Sequence, residues 1–197
     1  NGLWMLVAQA KESAEWFTGA KIDDAVIGKI HTQLRQQMEN IILVGMPGCG
    51  KSTIGQQLAQ RLGKTFVDAD AEIVKLAGMS IPEIFEKEGE AGFRAWETKA
   101  LAELGKRSGL VIATGGGCVT KAENYPLLHQ NGTVFCLERD ISALATDGRP
   151  LSQSGKLEEM YRIRKPLYHQ FADHFIDNNT QPNHAARQIL NILEGSK

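Results

Sequence analysis

The stretch Gly45-Met46-Pro47-Gly48-Cys49-Gly50-Lys51-Ser52 stands directly behind the apolar run Ile41-Ile42-Leu43-Val44 and directly ahead of Ile54, Leu58 and Leu62 at helical spacing. It fits G-x-x-x-x-G-K-[ST] between a strand and a helix, the setting in which that pattern has physical meaning. Glycines let backbone N–H groups turn inwards around phosphate oxygens, Lys51 reaches the β and γ phosphates, and Ser52 offers a hydroxyl to Mg²⁺. The helix that starts here adds its positive end. The chain is therefore expected to bind a nucleoside triphosphate.

A strand–loop–helix unit of this kind needs partners on both sides, and the rest of the chain supplies them. Short apolar runs at Ile41 to Val44, Thr65 to Val67, Leu110 to Ala113, Thr133 to Leu137 and Phe175 to Ile176 alternate with helical segments. Such alternation specifies an α/β domain with a parallel sheet covered on both faces. Ser80-Ile81-Pro82-Glu83 reads as a capping box with Pro in the first turn, opening a helix towards Leu104 that Gly89 and Gly92 are expected to bend. The segment Asp147 to Gly155, rich in Gly, Ser and Pro, is expected to form a mobile loop over the nucleotide, from which Arg149 could swing onto the transferring phosphates.

Before residue 40 the pattern changes. Met5, Ala8, Trp16 and Phe17 mark one helix, and Ile22, Val26, Ile30, Leu34 and Met38 a second, with Gly19 between them. We divide the chain into a helical appendage, 1–39, and a P-loop domain, 40–197. The appendage is too small for a core of its own and is expected to pack on the body or on another chain. The first residue, Asn rather than Met, suggests excision from something longer.

The formal net charge is −1, so nothing global points to nucleic acid or an anionic membrane. The opening run Leu3 to Ala10 lacks a basic leader and is too short to span a bilayer. Cys49, Cys118 and Cys136 are odd in number and lack C-x-x-C spacing, which argues against a disulfide framework or zinc site and for a reducing cytoplasm.

Chemistry-bearing residues follow the strands. Asp68 and Asp70 sit at i and i+2 after the second strand, where both carboxylates can face one cleft. One suits Mg²⁺ and the other a proton from a substrate hydroxyl; the competing reading is an Asp pair capping the next helix. Arg94 and Glu97, at i and i+3, form either a plain surface ion pair or part of a grip on a carboxylate. Arg164, with Arg162 and Lys165 around it, is either a solvated helix face or a second arm of that grip. Gly115-Gly116-Gly117 is either a tight turn or a place where a ligand or the P-loop comes close.

In order along the chain, G-M-P-G-C-G-K-S-T, D-A-D, F-R-A-W-E, G-G-G, R-P-L and R-K-P-L-Y resemble shikimate kinase from Asn40 to about Leu193. The resemblance implies a P-loop, nucleoside-monophosphate-kinase-like three-layer fold with a five-stranded parallel sheet, and transfer of phosphate from Mg·ATP to the 3-hydroxyl of shikimate in aromatic amino-acid biosynthesis. It further implies that Gly48, Cys49, Gly50, Lys51, Ser52 and Thr53 hold ATP, with Arg149 as a lid arginine and Gln181 on the nucleotide side. Lys51, Asp70 and Arg149 would be catalytic, and Ser52 and Asp68 would serve Mg²⁺. Asp70 would also bind the acceptor hydroxyls, Arg94 and Arg164 the carboxylate, and Phe85, Glu97, Gly115, Gly116 and Gly117 would line or support the cleft. Where family members place a further arginine to stack on adenine, this chain has Leu144-Ala145-Thr146. A second, shorter likeness joins Gly2 to Ala10 and Trp16 to Gly19 to the C-terminal helix of shikimate dehydrogenase, which implies a possible upstream dehydrogenase domain in a bifunctional polypeptide. Two other readings are kept: a P-loop kinase for another small hydroxylated acceptor such as gluconate, and a non-enzymatic nucleotide-dependent docking module.

Overall fold

The computed structural model describes residues 2–144 and 156–195. Arg149 and the expected loop over 147–155 lie outside the described residues. Five strands form one parallel sheet: β1 (Asn40–Val44), β2 (Thr65–Asp68), β3 (Leu110–Ala113), β4 (Gly132–Glu138) and β5 (His174–Asp177), in the order β2-β3-β1-β4-β5. The five apolar runs read from the sequence are these five strands, extended by at most one residue at either end. Every residue of β1 and β3 is buried, which is why they read as unbroken apolar runs rather than alternating ones.

After α1 (Leu3–Thr18) and α2 (Ala25–Met38), the body carries α3 (Lys51–Leu62), α4 (Ala69–Ala77), α5 (Ile81–Gly105), α6 (Asn124–His129), α7 (Lys156–Phe171) and α8 (Pro182–Gly195). Helices α3 and α8 pack together, while α5, α6 and α7 gather around a short 3₁₀ turn, Cys118–Thr120. The main core joins the strands to Ile54, Leu58, Leu101, Leu104 and Ile189, and a smaller cluster of Ile73, Ile84, Phe93 and Ala100 sits between α4 and α5.

The capping box is present in full: Glu83 N–H is within reach of Ser80 Oγ at 3.4 Å, and the Ser80 N–H donates to Glu83 Oε2 at 2.8 Å. Helix α5 bends at Gly89, whose φ of 68° and ψ of −170° leave the helical region, whereas Gly92 remains helical. The expected second bend is absent because Gly92 keeps its place in the backbone ladder.

Helices α1 and α2 pack on each other, with Trp4 edge-on to His31 and Lys11 paired with Asp24. Gly19, at φ 66°, caps the first of them in the left-handed region. Of this hairpin only Val7 is buried, and Trp16 and Phe17 are more than four-fifths exposed. Lys64, just beyond α3, ties the hairpin to the body by donating to the carbonyl oxygens of Gln36, Gln37 and Glu39 at 2.6–3.0 Å. Burial pulls the Lys64 ammonium below its ordinary value, partly offset by Glu39.

Candidate active site

Because all strands run in parallel, every loop that leaves a strand's carboxyl end emerges on one edge of the sheet. The P-loop follows β1, the two aspartates end β2 and open α4, the triple glycine follows β3, and Asn178 follows β5. Residues more than a hundred positions apart are thereby brought to one cleft.

The phosphate cradle is built by backbone that other residues would not adopt. Gly45, Gly48 and Gly50 have φ of 140°, 84° and 96°, and a Cβ on Gly45 would come within 2.7 Å of the Leu137 carbonyl oxygen. Lys51 is buried and its Nζ donates to the carbonyl oxygens of Gly45 and Met46, each at 2.9 Å. Cys49 is buried, and its carbonyl oxygen accepts from Asn178 Nδ2 at 2.5 Å. Thr53 is exposed in the first turn of α3. Gln181 is exposed just before α8, three residues beyond the asparagine that braces the cradle.

Ser52 and Asp68 are already partners: Ser52 Oγ donates to Asp68 Oδ2 at 2.9 Å, while Asp68 Oδ1 accepts from the Asp70 N–H at 3.0 Å. Capping is thus observed for Asp68, one oxygen of which caps α4 while the other is bonded to the P-loop serine. These are hard oxygen donors of the kind Mg²⁺ takes, and they stand at the mouth of the phosphate loop. Among the described residues no group of three or more His, Cys, Asp or Glu is arranged to hold a metal, so an ion held by Ser52 and Asp68 would need further donors from its ligand or from water.

Arg94 and Glu97 are buried rather than on the surface. Arg94 Nη1 donates to Glu97 Oε2 at 2.8 Å and Nη2 to Glu90 Oε1 at 3.3 Å. Burial opposes the guanidinium charge, yet Glu97 and then Glu90 hold its pKa raised. Burial likewise raises the Glu97 carboxyl against the pull of Arg94; Asp70 adds to the rise and Arg164 counters it. Glu97 thus feels the charges of Arg94, Asp70 and Arg164 together. Phe85 stacks on Phe93 with ring centroids 4.7 Å apart, and the Arg94 guanidinium lies 5.2 Å over the Phe93 ring.

The triple glycine is explained by space rather than by backbone conformation, because none of the three has positive φ. A Cβ on Gly115 would lie 2.7 Å from Glu97 Oε1 and 3.1 Å from Asp70 Oδ1; on Gly116, 2.6 Å from Pro47 Cδ; on Gly117, on top of the Arg94 guanidinium. Each glycine admits a different member of the site. Arg164, on α7, is only 8% exposed and among the described residues has no carboxylate within salt-bridge distance.

A family model described as shikimate kinase matches residues 47–194. The chain belongs to the shikimate kinase family. A shikimate kinase of Acinetobacter baumannii (strain AYE) is 42% identical over 172 residues, covering 82% of this chain and 96% of the relative. One from Nitrosomonas europaea is 43% identical over 160 residues, covering 77% and 76%. Among solved structures, the shikimate kinase from Acinetobacter baumannii in complex with shikimate superposes with a TM-score of 0.78 at 40% identity, over 84% of this chain and 98% of that one. The enzyme from Aquifex aeolicus gives 0.72 at 33%, over 80% and 97%. Shikimate kinases use ATP and Mg²⁺, in keeping with the cradle and the Ser52–Asp68 pair. The family match begins at Pro47, so the hairpin of α1 and α2 stands outside it.

Three residues of the site went unread in the sequence. Neither Asn178 nor Glu90 stands in a recognisable motif, and Tyr168 stands in one only as the last residue of R-K-P-L-Y.

Proposed function

We infer that this chain transfers the γ-phosphoryl group of ATP to the 3-hydroxyl of shikimate, giving shikimate 3-phosphate and ADP. The observation that carries the reading is Arg164: a buried guanidinium without a carboxylate partner among the described residues, close enough to the Arg94–Glu97 pair for its charge to act on the Glu97 carboxyl, calls for an anionic ligand. Two guanidinium groups suit a planar carboxylate, and the same cleft opens on the phosphate loop.

In this reading Arg94 and Arg164 hold the shikimate carboxylate, with Glu97 fixing Arg94 and Phe85 packing behind it. Gly115, Gly116 and Gly117 leave room for the acceptor. The acceptor oxygen attacks the γ-phosphorus, the bond to the β-phosphate oxygen breaks, and ADP carries away the electron pair; Asp70 takes the hydroxyl proton. Gly48, Cys49, Gly50, Ser52 and Thr53 line the phosphates through their backbone and hydroxyl groups. Lys51 leaves its two carbonyl partners to meet the β and γ oxygens. Ser52 and Asp68 would hold Mg²⁺, which when bound would neutralise phosphate charge. Arg149 is assigned to the closing lid and Gln181 to the nucleotide side. A coupled ADP-release assay tests this: turnover should require added shikimate, and ADP release indifferent to shikimate would overturn it.

The hairpin of residues 1–39 we assign to the tail of an upstream dehydrogenase-like domain, on the likeness of Gly2 to Ala10 and Trp16 to Gly19 to such a helix. Its exposed Trp16 and Phe17 suit a helix whose apolar side belongs against other protein. Removing residues 1–39 should leave shikimate-dependent turnover intact; loss of turnover in a folded 40–197 protein would count against separate units. Three buried free thiols suit a cytoplasmic setting, and no described helix is long and apolar enough to cross a membrane.

A further inference from the structure

Tyr168 lies one helical turn beyond Arg164, so the two share a face of α7. Its ring is 3% exposed. The hydroxyl donates to the Gly116 carbonyl oxygen at 2.5 Å and touches Met46 Sδ at 3.8 Å. One phenolic oxygen therefore meets both loops that flank the cleft, the triple glycine after β3 and the P-loop after β1. A phenylalanine would fill the same volume, and a buried hydroxyl is costly unless it is bonded. Burial also pushes the phenol well above its ordinary value, which keeps it protonated and a donor through the working pH range.

We propose that Tyr168 is a positioning residue that sets the triple-glycine turn, and through it Arg94, in register with Arg164 for acceptor binding. The proposal rests on the shikimate kinase reading above. All described peptides are trans, so directing the Gly116 carbonyl at Tyr168 turns the Gly117 N–H to the opposite side. Gly117 is the residue against which the Arg94 guanidinium rests, and Gly116 is the one that abuts Pro47. Arg164 rides on the same turn-to-turn face as the tyrosine. Losing the hydroxyl would therefore loosen the spacing between two guanidinium groups whose joint geometry a carboxylate reads, while leaving the phosphate cradle with its own braces at Asn178 and Gly45.

The test is Tyr168→Phe, with steady-state kinetics in both substrates and a thermal melt of the unliganded protein. The expected result is a shikimate KM about five- to tenfold higher, the effect of one lost hydrogen bond, with ATP KM within twofold and the melt lowered by no more than a few degrees. A merely structural tyrosine would lower the melt and the active fraction while leaving both KM values alone, and that result overturns the proposal. An equal rise in both KM values overturns it too. Wild-type protein showing no shikimate-dependent turnover would sink the functional reading itself, whereas an active wild type matched by its Phe variant sinks only the role given to Tyr168.

Discussion

Gly117 and the Arg94 guanidinium occupy one space: a Cβ added to the glycine would fall on the guanidinium nitrogens. The glycine has φ −100° and ψ 0°, a conformation that alanine tolerates, so Gly117→Ala is a steric probe with little backbone penalty. The methyl group should push Arg94 out of its pocket. Losing one charge-assisted contact costs about 1.5–3 kcal/mol, so shikimate KM should rise roughly ten- to a hundredfold with ATP KM little changed. Kinetics in both substrates check this, and a variant with unaltered shikimate KM would remove Arg94 from the acceptor pocket.

Among the described residues, Lys51 is anchored by the Gly45 and Met46 carbonyl oxygens rather than by a carboxylate. Lys51→Ala should therefore leave the fold in place, with a melting temperature within a few degrees of wild type. Its kcat should drop by at least about a hundredfold, since the missing charge acts on the transferring phosphoryl group. A melt and a turnover assay on the same preparation separate the two effects; near-normal turnover would contradict the cradle role.

Burial pushes the Cys118 and Cys136 thiols up to about 12 from an ordinary 9.0. Between pH 9 and 12 these thiols ionise in the unfolded chain and stay protonated in the folded one. The folded state then binds more protons, so stability is full below pH 9 and falls as pH rises towards 12. Each thiol contributes a slope of at most about 1.4 kcal/mol per pH unit. Denaturant midpoints of wild type and Cys118→Ala across pH 8.5–11 should show a shallower fall in the variant. Parallel curves would mean the thiol is not shielded.

Ser80 accepts from the Glu83 N–H at the head of α5, the helix that carries Phe93, Arg94 and Glu97. Ser80→Ala removes one half of the capping box and should cost about 1 kcal/mol of stability. The bend at Gly89 separates this first turn from Arg94, so kcat should be unchanged. A chemical denaturation curve measures the loss, and a kcat that fell with it would show that the cap and the site are coupled.

Elements with a local signature were legible in the chain. The P-loop declared itself because its glycines, lysine and serine are adjacent, and β1 and β3 because both their faces are buried, which leaves unbroken runs such as Ile41 to Val44. The capping box did so because its two bonds join Ser80 and Glu83, three residues apart. The bend of α5 was half legible, since glycine permits a departure from the helix without requiring one; Gly89 departs and Gly92 does not.

Arg94 and Glu97 are the opposite case. An i, i+3 pair on a helix reads the same whether the helix face meets water or the end of β3, and only packing buried it. The triple glycine left open a tight turn, a close ligand or the approach of the P-loop, and the three obstacles that decide it (Asp70 and Glu97, Pro47, Arg94) come from three other segments. Asn178 beneath Cys49 and Tyr168 against Gly116 had no local sign, because each acts across a separation of more than fifty residues.

By itself, then, the order of residues determined the nucleotide cradle, the alternation that makes a parallel sheet, and the family. The tertiary structure alone decided which side chains meet at the carboxyl end of the sheet. The physical reason is range: backbone conformation and hydrophobic period are set by neighbours a few residues away, whereas burial, charge pairing and the room for a Cβ depend on segments that meet only when the sheet has formed.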